Sequence, residues 1–446
     1  MMQRRQFAAA LVGSLGGLLT GTPVANAAES KRHSPLFCAS IGARLATYEL
    51  DARSRNLREL NRPASAPAEV QCAWSDSARQ TLYAACSDQQ MAGADKHFLC
   101  AFRITPAGNL APLATPVPLR SRPIYVTGDG SGAYLLTAYN RPSSISVHAI
   151  ERNGFIGEEV PQSAALDAGV YAHQVKVFPS NRAVLLMARG NDAAAGRPED
   201  AGALKIFNFA EGRLTNAQSV APNQGRNFRP RHAAFHTSGH WVYVVLESGN
   251  EIQTYAVRED RLSDAPLFIS STLAHPKEPA PGQMASSIVM HPNGRTLYVA
   301  NRGTGTEEFR GERVANEGEN SLAVFSVNPD TGEPSLIQTI DARGIHVRSL
   351  DLSSDGCWLV AASISAAKVR GADRVRLVPA GLSLFKIGAS GRLTFASKHD
   401  VDAPGQRVFW VGSLGNIEPA KSDCRIGPAC DEAYQAERPA NITSTA

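Results

Sequence analysis

Several residues able to move protons or hold anions stand at the ends of short apolar segments. His173 sits at the head of AHQVKVF, and Arg231 at the head of RHAAFH. Glu247 ends WVYVVLE, Arg302 ends TLYVANR, and Arg348 precedes SLDL. An imidazole titrates close to neutrality and can take a proton from water. Guanidiniums stay charged and can hold a carbonyl oxygen or a carboxylate through paired hydrogen bonds. A carboxylate such as Glu247 can orient either group or accept a proton itself. Each residue also has a plainer account. A histidine at a strand start can cap backbone groups, and Arg231 with Glu247, like Arg348, can be a structural tie between neighbouring sheets.

The surrounding pattern decides what these residues can share. An apolar strand, a polar turn with Gly, Asn or Asp, and a second strand rich in Leu, Tyr and Val recur six times. The copies are Val70–Cys86, Tyr125–Asn140, Val175–Gly190, His232–Glu247, Ser287–Arg302 and Ser349–Ser363. Their turns, taken at Arg79, Gly132, Asn181, Gly239, Gly294 and Gly356, recur every 49 to 62 residues. Antiparallel pairing returns the start of a first strand and the end of a second to the same rim. Arg231 and Glu247 therefore share a rim, and the same argument places His173, Arg302 and Arg348 on that face.

Most copies are followed by a second strand pair, as in SLAVFSVN, PDTGE and Leu336–Ile340. Each unit is thus four short strands. One such sheet cannot bury its faces alone, so successive sheets must stack, and radial stacking gives a propeller. Strands in Leu36–Leu60 lack a preceding hairpin, and Gln406–Gly412 (QRVFWVG) lacks a partner. Joined, they make a seventh blade that locks the ring. The expected fold is all-β: a seven-bladed β-propeller over residues 28–412, closed by its N- and C-terminal strands, with a tail over 413–446. A two-sheet sandwich is the rival, but six similar units exceed what one sandwich uses.

The chain of 446 residues opens with Arg4-Arg5, a Gly/Ala/Leu stretch and Ala25-Asn26-Ala27, the pattern of an export leader over residues 1–27. The paired arginines resemble a twin-arginine signal, so a periplasmic or secreted destination is expected. Without Arg4 and Arg5 the chain carries 43 basic against 41 acidic residues, which gives no electrostatic case for nucleic acid. No later apolar stretch is long enough for a membrane span. Seven cysteines allow disulfides in an oxidising compartment and leave at least one without an intrachain partner. Cys424 and Cys430 are close enough in sequence to close a loop in the tail. No Cys-x-x-Cys spacing suggests a metal, and the absence of Cys-x-x-Cys-His argues against covalent haem, so no cofactor is expected.

PRHAAFH at Pro230–His236, HPNGRTLYVANRG at His291–Gly303 and AHQVKVF at Ala172–Phe178 resemble the seven-bladed lactonase propellers, which include bacterial 6-phosphogluconolactonases and fungal carboxymuconate cyclases. The likeness runs from about Leu36 to about Gly412. The strand-turn-strand core is shared with other propellers, whereas the order His, Arg-His, Glu, Asn-Arg-Gly is more particular. The resemblance implies catalytic roles for His173, Arg231, Glu247 and Arg302, with Tyr171, His232, Asn301 and Arg348 as substrate-binding neighbours. It implies a small lactone or acidic ligand as partner, and a monomer is expected. Three departures from the family pattern bear on the substrate more than on the fold. Tyr171-Ala172-His173 stands where the family often has His-x-His, Ala188-Arg189 replaces an acidic and an apolar residue, and Ala362-Ser363 replaces Asn-Gln.

Lactone opening needs water made nucleophilic and charge held on the carbonyl oxygen. The cyclising direction would use the same groups. Export sits badly with a phosphorylated cytoplasmic substrate and favours a non-phosphorylated sugar lactone or a carboxylated one over 6-phosphogluconolactone. A non-catalytic propeller that binds an acidic ligand or a protein is the second reading, since the fold serves both uses. Insertions at 191–201, 304–320 and 364–379 each follow a second strand on the rim in question. They either shape access to a site or are polar excursions without a role.

Overall fold

The computed structural model describes residues 34–60, 62–88, 96–402 and 404–415. The leader with its cleavage site and the Cys424–Cys430 pair lie outside the described residues.

Every expected hairpin forms. The inner pairs are Val70–Asp76 with Thr81–Ser87, Pro123–Gly128 with Tyr134–Asn140, Ala172–Val177 with Ala183–Ala188, Pro230–Phe235 with Trp241–Leu246, Gln283–Met290 with Thr296–Gly303, and Val347–Leu352 with Trp358–Ser363. Each continues outward through two more antiparallel strands. The turns form where the sequence supplies residues that tolerate positive φ: Asn181 has φ 60° and Gly294 has φ 70°. These six sheets are blades 2 to 7. In blade 1 the C-terminal strand Val411–Gly415 pairs with the N-terminal Leu36–Ile41, which continues into Arg44–Asp51 and Asn56–Glu59. The seven-bladed ring is therefore closed by both ends of the domain. The closing strand begins at Val411, five residues later than the sequence suggested. Before it, Arg407 and Trp410 accept backbone bonds from Gly42 and Ser40 without regular strand geometry.

The blades stack face to face, and the core is the set of layers between them. Phe178, Leu185, Met187 and Ile206 of blade 4 meet Val242, Val244 and Tyr255 of blade 5. Because each second strand has a blade on both sides, its residues are buried on both faces, as in Thr296–Gly303 and Trp358–Ser363. This explains why these strands read as continuous apolar runs instead of alternating. A repeated polar tie crosses the layers. The hydroxyls of Tyr83, Tyr243 and Tyr298 donate to the carbonyls of Gly154, Gly332 and Gly391 in the next blade, at 2.9, 3.0 and 2.9 Å.

Two insertions build a structure that the sequence did not suggest. Thr306–Phe309 and Glu312–Ala315 from blade 6 form one hairpin, and Ala367–Arg370 and Val375–Val378 from blade 7 form another. A parallel contact between Ala315 and Val369 joins them into a separate four-stranded sheet. They are therefore ordered strands, not loose loops.

Candidate active site

The innermost strands of several blades share an irregularity at the same rim. In blade 4, Ala172 pairs with Ala188 and Gln174 with Met187, so His173 is an extra residue. Arg231 is likewise skipped between Pro230 and His232, and Arg348 between Val347 and Ser349. Gln71 and Ile124 occupy the same place in blades 2 and 3. A bulge of this kind re-aims one side chain without breaking the hairpin. Here it turns His173, Arg231 and Arg348 toward the ring's axis.

The second strands deliver their last residues to the same rim. Arg189 follows Ala183–Ala188, Glu247 follows Trp241–Leu246, and Arg302 lies near the end of Thr296–Gly303. A cavity of about 600 Å3 opens there, lined by Tyr171, His173, Arg189, Glu247, Arg302, His346 and Arg348 among others. Below it an axial cavity of about 550 Å3 contains Arg231, His232, Gln174, Lys176 and Asp351. His173, Arg348, Ile124 and Phe409 border both.

Glu247 is the hub. Its two oxygens receive Arg189 and Arg302, and Arg231 Nε lies 3.0 Å from Oε1. That last contact has the distance of an ion pair but not the alignment of a hydrogen bond, which leaves Arg231 Nε unsatisfied. Arg231 also donates Nη1 to the Ser286 carbonyl at 2.6 Å. All four side chains are buried. Burial works to raise the Glu247 pKa, but Arg302, Arg231 and Arg189 outweigh it and hold it down to about 2. Glu247 is thus a fixed anion that positions arginines and a poor proton acceptor. This corrects the expectation that it could serve as base.

The imidazoles behave oppositely. Burial, reinforced by Arg231, Arg348, Arg189 and Arg302, holds His173 well below the usual histidine range. It is therefore neutral, and its Nδ1 is buried without a hydrogen-bond partner among the described residues. Burial and then Arg302 lower His346 to about 3. Arg302 Nη1 lies 3.3 Å from His346 Nε2, so this neutral nitrogen serves as acceptor. Among the described residues Arg302 Nε is left buried and unpartnered.

Of the expected site residues, His173, Glu247, Arg302, Tyr171 and Arg348 line the mouth, with Arg231 beneath them on Glu247. His232 faces the axial cavity, its ring 5.1 Å from that of His173. Asn301 is not at the mouth. It is fully buried within its blade, where Nδ2 donates to the Thr272 carbonyl at 2.6 Å. Side chains face alternate ways along a strand, and Asn301 points away from the cavity that its neighbour Arg302 lines.

Three residues of the mouth were not anticipated as site residues. Arg189 stands at a second-strand end, as Glu247 and Arg302 do, and that equivalence was a usable signal. His346 and Arg122 each immediately precede a first strand, where similar logic applies. The insertion at 191–201 is tied to the site through Asp192. Asp192 accepts from Arg189 Nη2 at 2.7 Å and from Arg229 Nε at 2.9 Å. No cluster of metal-binding side chains occurs among the described residues.

Residues 37–375 match a family model described as the seven-bladed β-propeller lactonase family. A 6-phosphogluconolactonase of Bacillus subtilis is 25% identical over 250 residues, covering 54% of this chain and 63% of that protein. The chain thus spans less than two thirds of that relative's length. A 6-phosphogluconolactonase of Serratia proteamaculans is 23% identical over 323 residues, covering 71% of this chain and 82% of that protein. Among solved structures, a Lactobacillus plantarum protein aligns with a TM-score of 0.64 at 20% identity, over 86% of this chain and 99% of its own. The Pseudomonas aeruginosa periplasmic gluconolactonase aligns at 0.63 and 20% identity, over 84% and 99%. These structural likenesses concern the fold.

Proposed function

Because the chain belongs to the lactonase family of seven-bladed β-propellers, we propose that it is an exported hydrolase that opens a non-phosphorylated sugar lactone or a carboxylated lactone at the mouth of the ring. One observation carries the reading. A neutral imidazole whose Nδ1 has no partner among the described residues stands among guanidiniums that one carboxylate fixes in place. Acyl transfer to water needs this pairing of a proton acceptor that does not have to be deprotonated first with preorganised cations.

In the proposed reaction His173 Nδ1 takes a proton from water as the water oxygen bonds to the lactone carbonyl carbon. The carbonyl oxygen becomes anionic beside Arg302, which lines the cavity, with Arg231 adding positive charge from below. Collapse of this intermediate breaks the ring carbon–oxygen bond. The departing ring oxygen takes the proton back from the His173 imidazolium, giving an open hydroxy acid. Glu247 keeps Arg189, Arg231 and Arg302 aligned throughout. The strongly depressed His173 pKa makes it a weak base, which suits an activated ester better than an amide.

A 6-phosphogluconolactonase role has in its favour the names of the curated relatives and against it the leader-like N-terminus. The deciding experiment follows acid release by pH-stat from a panel of sugar lactones with the mature protein, corrected for spontaneous opening. Hydrolysis that falls about 100-fold or more in His173→Ala and Arg231→Ala supports the mechanism. Hydrolysis retained in both variants removes it. A wild-type protein that binds acidic ligands yet opens no lactone is a binding propeller.

A further inference from the structure

The axial cavity holds two ionisable side chains that lactone hydrolysis at the mouth does not use. Lys176 belongs to Ala172–Val177 of blade 4, and Asp351 to Val347–Leu352 of blade 7. Each stands three residues beyond the bulged residue of its strand, His173 or Arg348, which sets it about 10 Å deeper along the axis. Blades 4 and 7 lie on nearly opposite sides of a ring of seven. Both side chains line the cavity, and each feels the other's charge.

Neither group is tied up as a structural ion pair would be. Among the described residues the Lys176 amine makes no hydrogen bond and no close ion pair. Asp351 accepts the backbone N–H groups of Leu352 and Ser413, at 2.9 and 2.8 Å, one on each oxygen. These bonds hold the carboxyl group still and leave each oxygen room for another partner. Burial draws the Lys176 pKa below its ordinary value, against the pull of Asp351 and Cys72. Burial likewise pushes Asp351 up, against its two N–H donors and Lys176. The Cys72 thiol, which burial raises to about 11, stays protonated at neutral pH. Loss of water thus disfavours the charged forms of amine and acid together. A neutral amine facing a protonated carboxyl is a nucleophile and a proton donor in one layer. Both residues are only half-buried, and the cavity lining continues to Val177, Phe235 and Met290, the last residues of their strands. A small molecule can therefore approach from the rim opposite the mouth, where Phe235 and Met290 suit a short alkyl chain.

We propose that the axial cavity is a second site, in which Lys176 forms an imine with a short alkyl aldehyde and Asp351 carries the protons. The Nζ lone pair bonds to the aldehyde carbon while the carbonyl oxygen takes a proton from the Asp351 carboxyl. The nitrogen then returns one of its own protons to that carboxylate, giving a neutral carbinolamine. Asp351 donates again, the carbon–oxygen bond breaks and the hydroxyl leaves as water. What remains is a protonated imine opposite the Asp351 carboxylate, so the new cation has its counter-charge already in place. Nothing is oxidised or reduced in the step, and it uses no residue of the mouth.

The test treats the mature protein with limiting propanal and cyanoborohydride at pH 7, which reduces any imine to a stable propyl-lysine, and follows each lysine by peptide mass spectrometry. Lys176 is expected to react at least about 10-fold faster than the exposed Lys96 and Lys277, because only an unprotonated amine attacks. In Asp351→Asn, which has no acid proton to give, the Lys176 rate should fall about 10–100-fold while Lys96 and Lys277 keep theirs. Lys176 reacting no faster than the exposed lysines overturns the proposal, and so does fast labelling that Asp351→Asn leaves unchanged. Should the melting curve show that Asp351→Asn does not fold, the wild-type pH profile decides instead. The rate of Lys176 relative to Lys277 should shrink from pH 7 to 10, since exposed amines lose their protons only toward the upper end, and a level ratio overturns the proposal. None of these readouts needs lactone hydrolysis, so the result is independent of the reaction assigned to the mouth.

Discussion

Replacing Glu247 by Gln removes one charge while keeping the side chain's shape, and it bears on the whole arrangement of the mouth. Three buried guanidiniums, from Arg189, Arg231 and Arg302, depend on that carboxylate. Against the effect of burial, its pKa is lowered from 4.5 to about 2 by the three guanidiniums, which links its ionised form to stability at neutral pH on the order of 3 kcal/mol. An independent guide agrees: removing one partner from a buried ion pair costs about 3–5 kcal/mol because the remaining charge stays buried. Glutamine cannot compensate, since its amide nitrogen would face guanidinium donors. For a domain of this size, a loss of 3–5 kcal/mol lowers the melting temperature by about 4–6 °C. Differential scanning calorimetry at pH 7 measures it, and formate added to Glu247→Ala should restore part of the loss by supplying a carboxylate to the vacated space. Melting of Glu247→Gln within about 1 °C of wild type would refute the reasoning, because the arginines would then have to be hydrated and independent of Glu247.

Other outcomes follow from the same geometry. His148, His173, His232 and His346 all have pKa values depressed below the ordinary 6.5 by burial. The unfolded chain therefore binds protons first as pH falls, so stability is full above about 6.5 and declines below it, at up to about 5 kcal/mol per pH unit for four protons. Urea titrations between pH 7 and 5 measure this slope, and His346→Asn should reduce it by about one quarter; an unchanged slope contradicts the neutral assignment. The hydrolytic rate should hold steady below the usual histidine range, because His173 stays unprotonated there; a rate that halves near pH 6.5 would place a different base in the site. Exchanging the hairpin Thr306–Ala315 for a short Gly/Ser linker should leave the ring folded, with a melting temperature within a few degrees of wild type, because the hairpin's strand pairing is with the other insertion. Collapse of the fold in that variant would show the added sheet to be structural.

The ring was legible because its signals are local. A turn residue at Asn181 or Gly294 between two apolar runs specifies a hairpin, and antiparallel pairing alone brings Arg231 and Glu247 to one rim. The same pairing argument put His173 and Arg302 on that rim, and the resemblance gave the four a shared role. The rest depends on relations that no short window contains. Nothing in PRHAAF shows that Arg231 is skipped in the register, yet that bulge aims it at Glu247. Adjacent residues can also serve opposite faces, so Asn301 looks as eligible as Arg302 and lies on the other side. Burial settles the roles of Glu247 and His173, because the excess of arginine makes the acid strong and keeps the imidazole neutral. The added sheet escaped notice because its two hairpins lie some fifty residues apart and meet only through Ala315 and Val369.

Closure by Val411–Gly415 has a consequence for how the molecule can be cut. Leu36 lies opposite Gly415, so the domain's first and last strands are neighbours and a short peptide bridging them would not have to cross the ring. New termini could then be opened at an exposed outer turn such as Asn328–Gly332, giving a permuted chain with the same mouth. A chain ending before Val411 would instead leave Leu36–Ile41 with an open edge, ready to pair with a strand from another molecule.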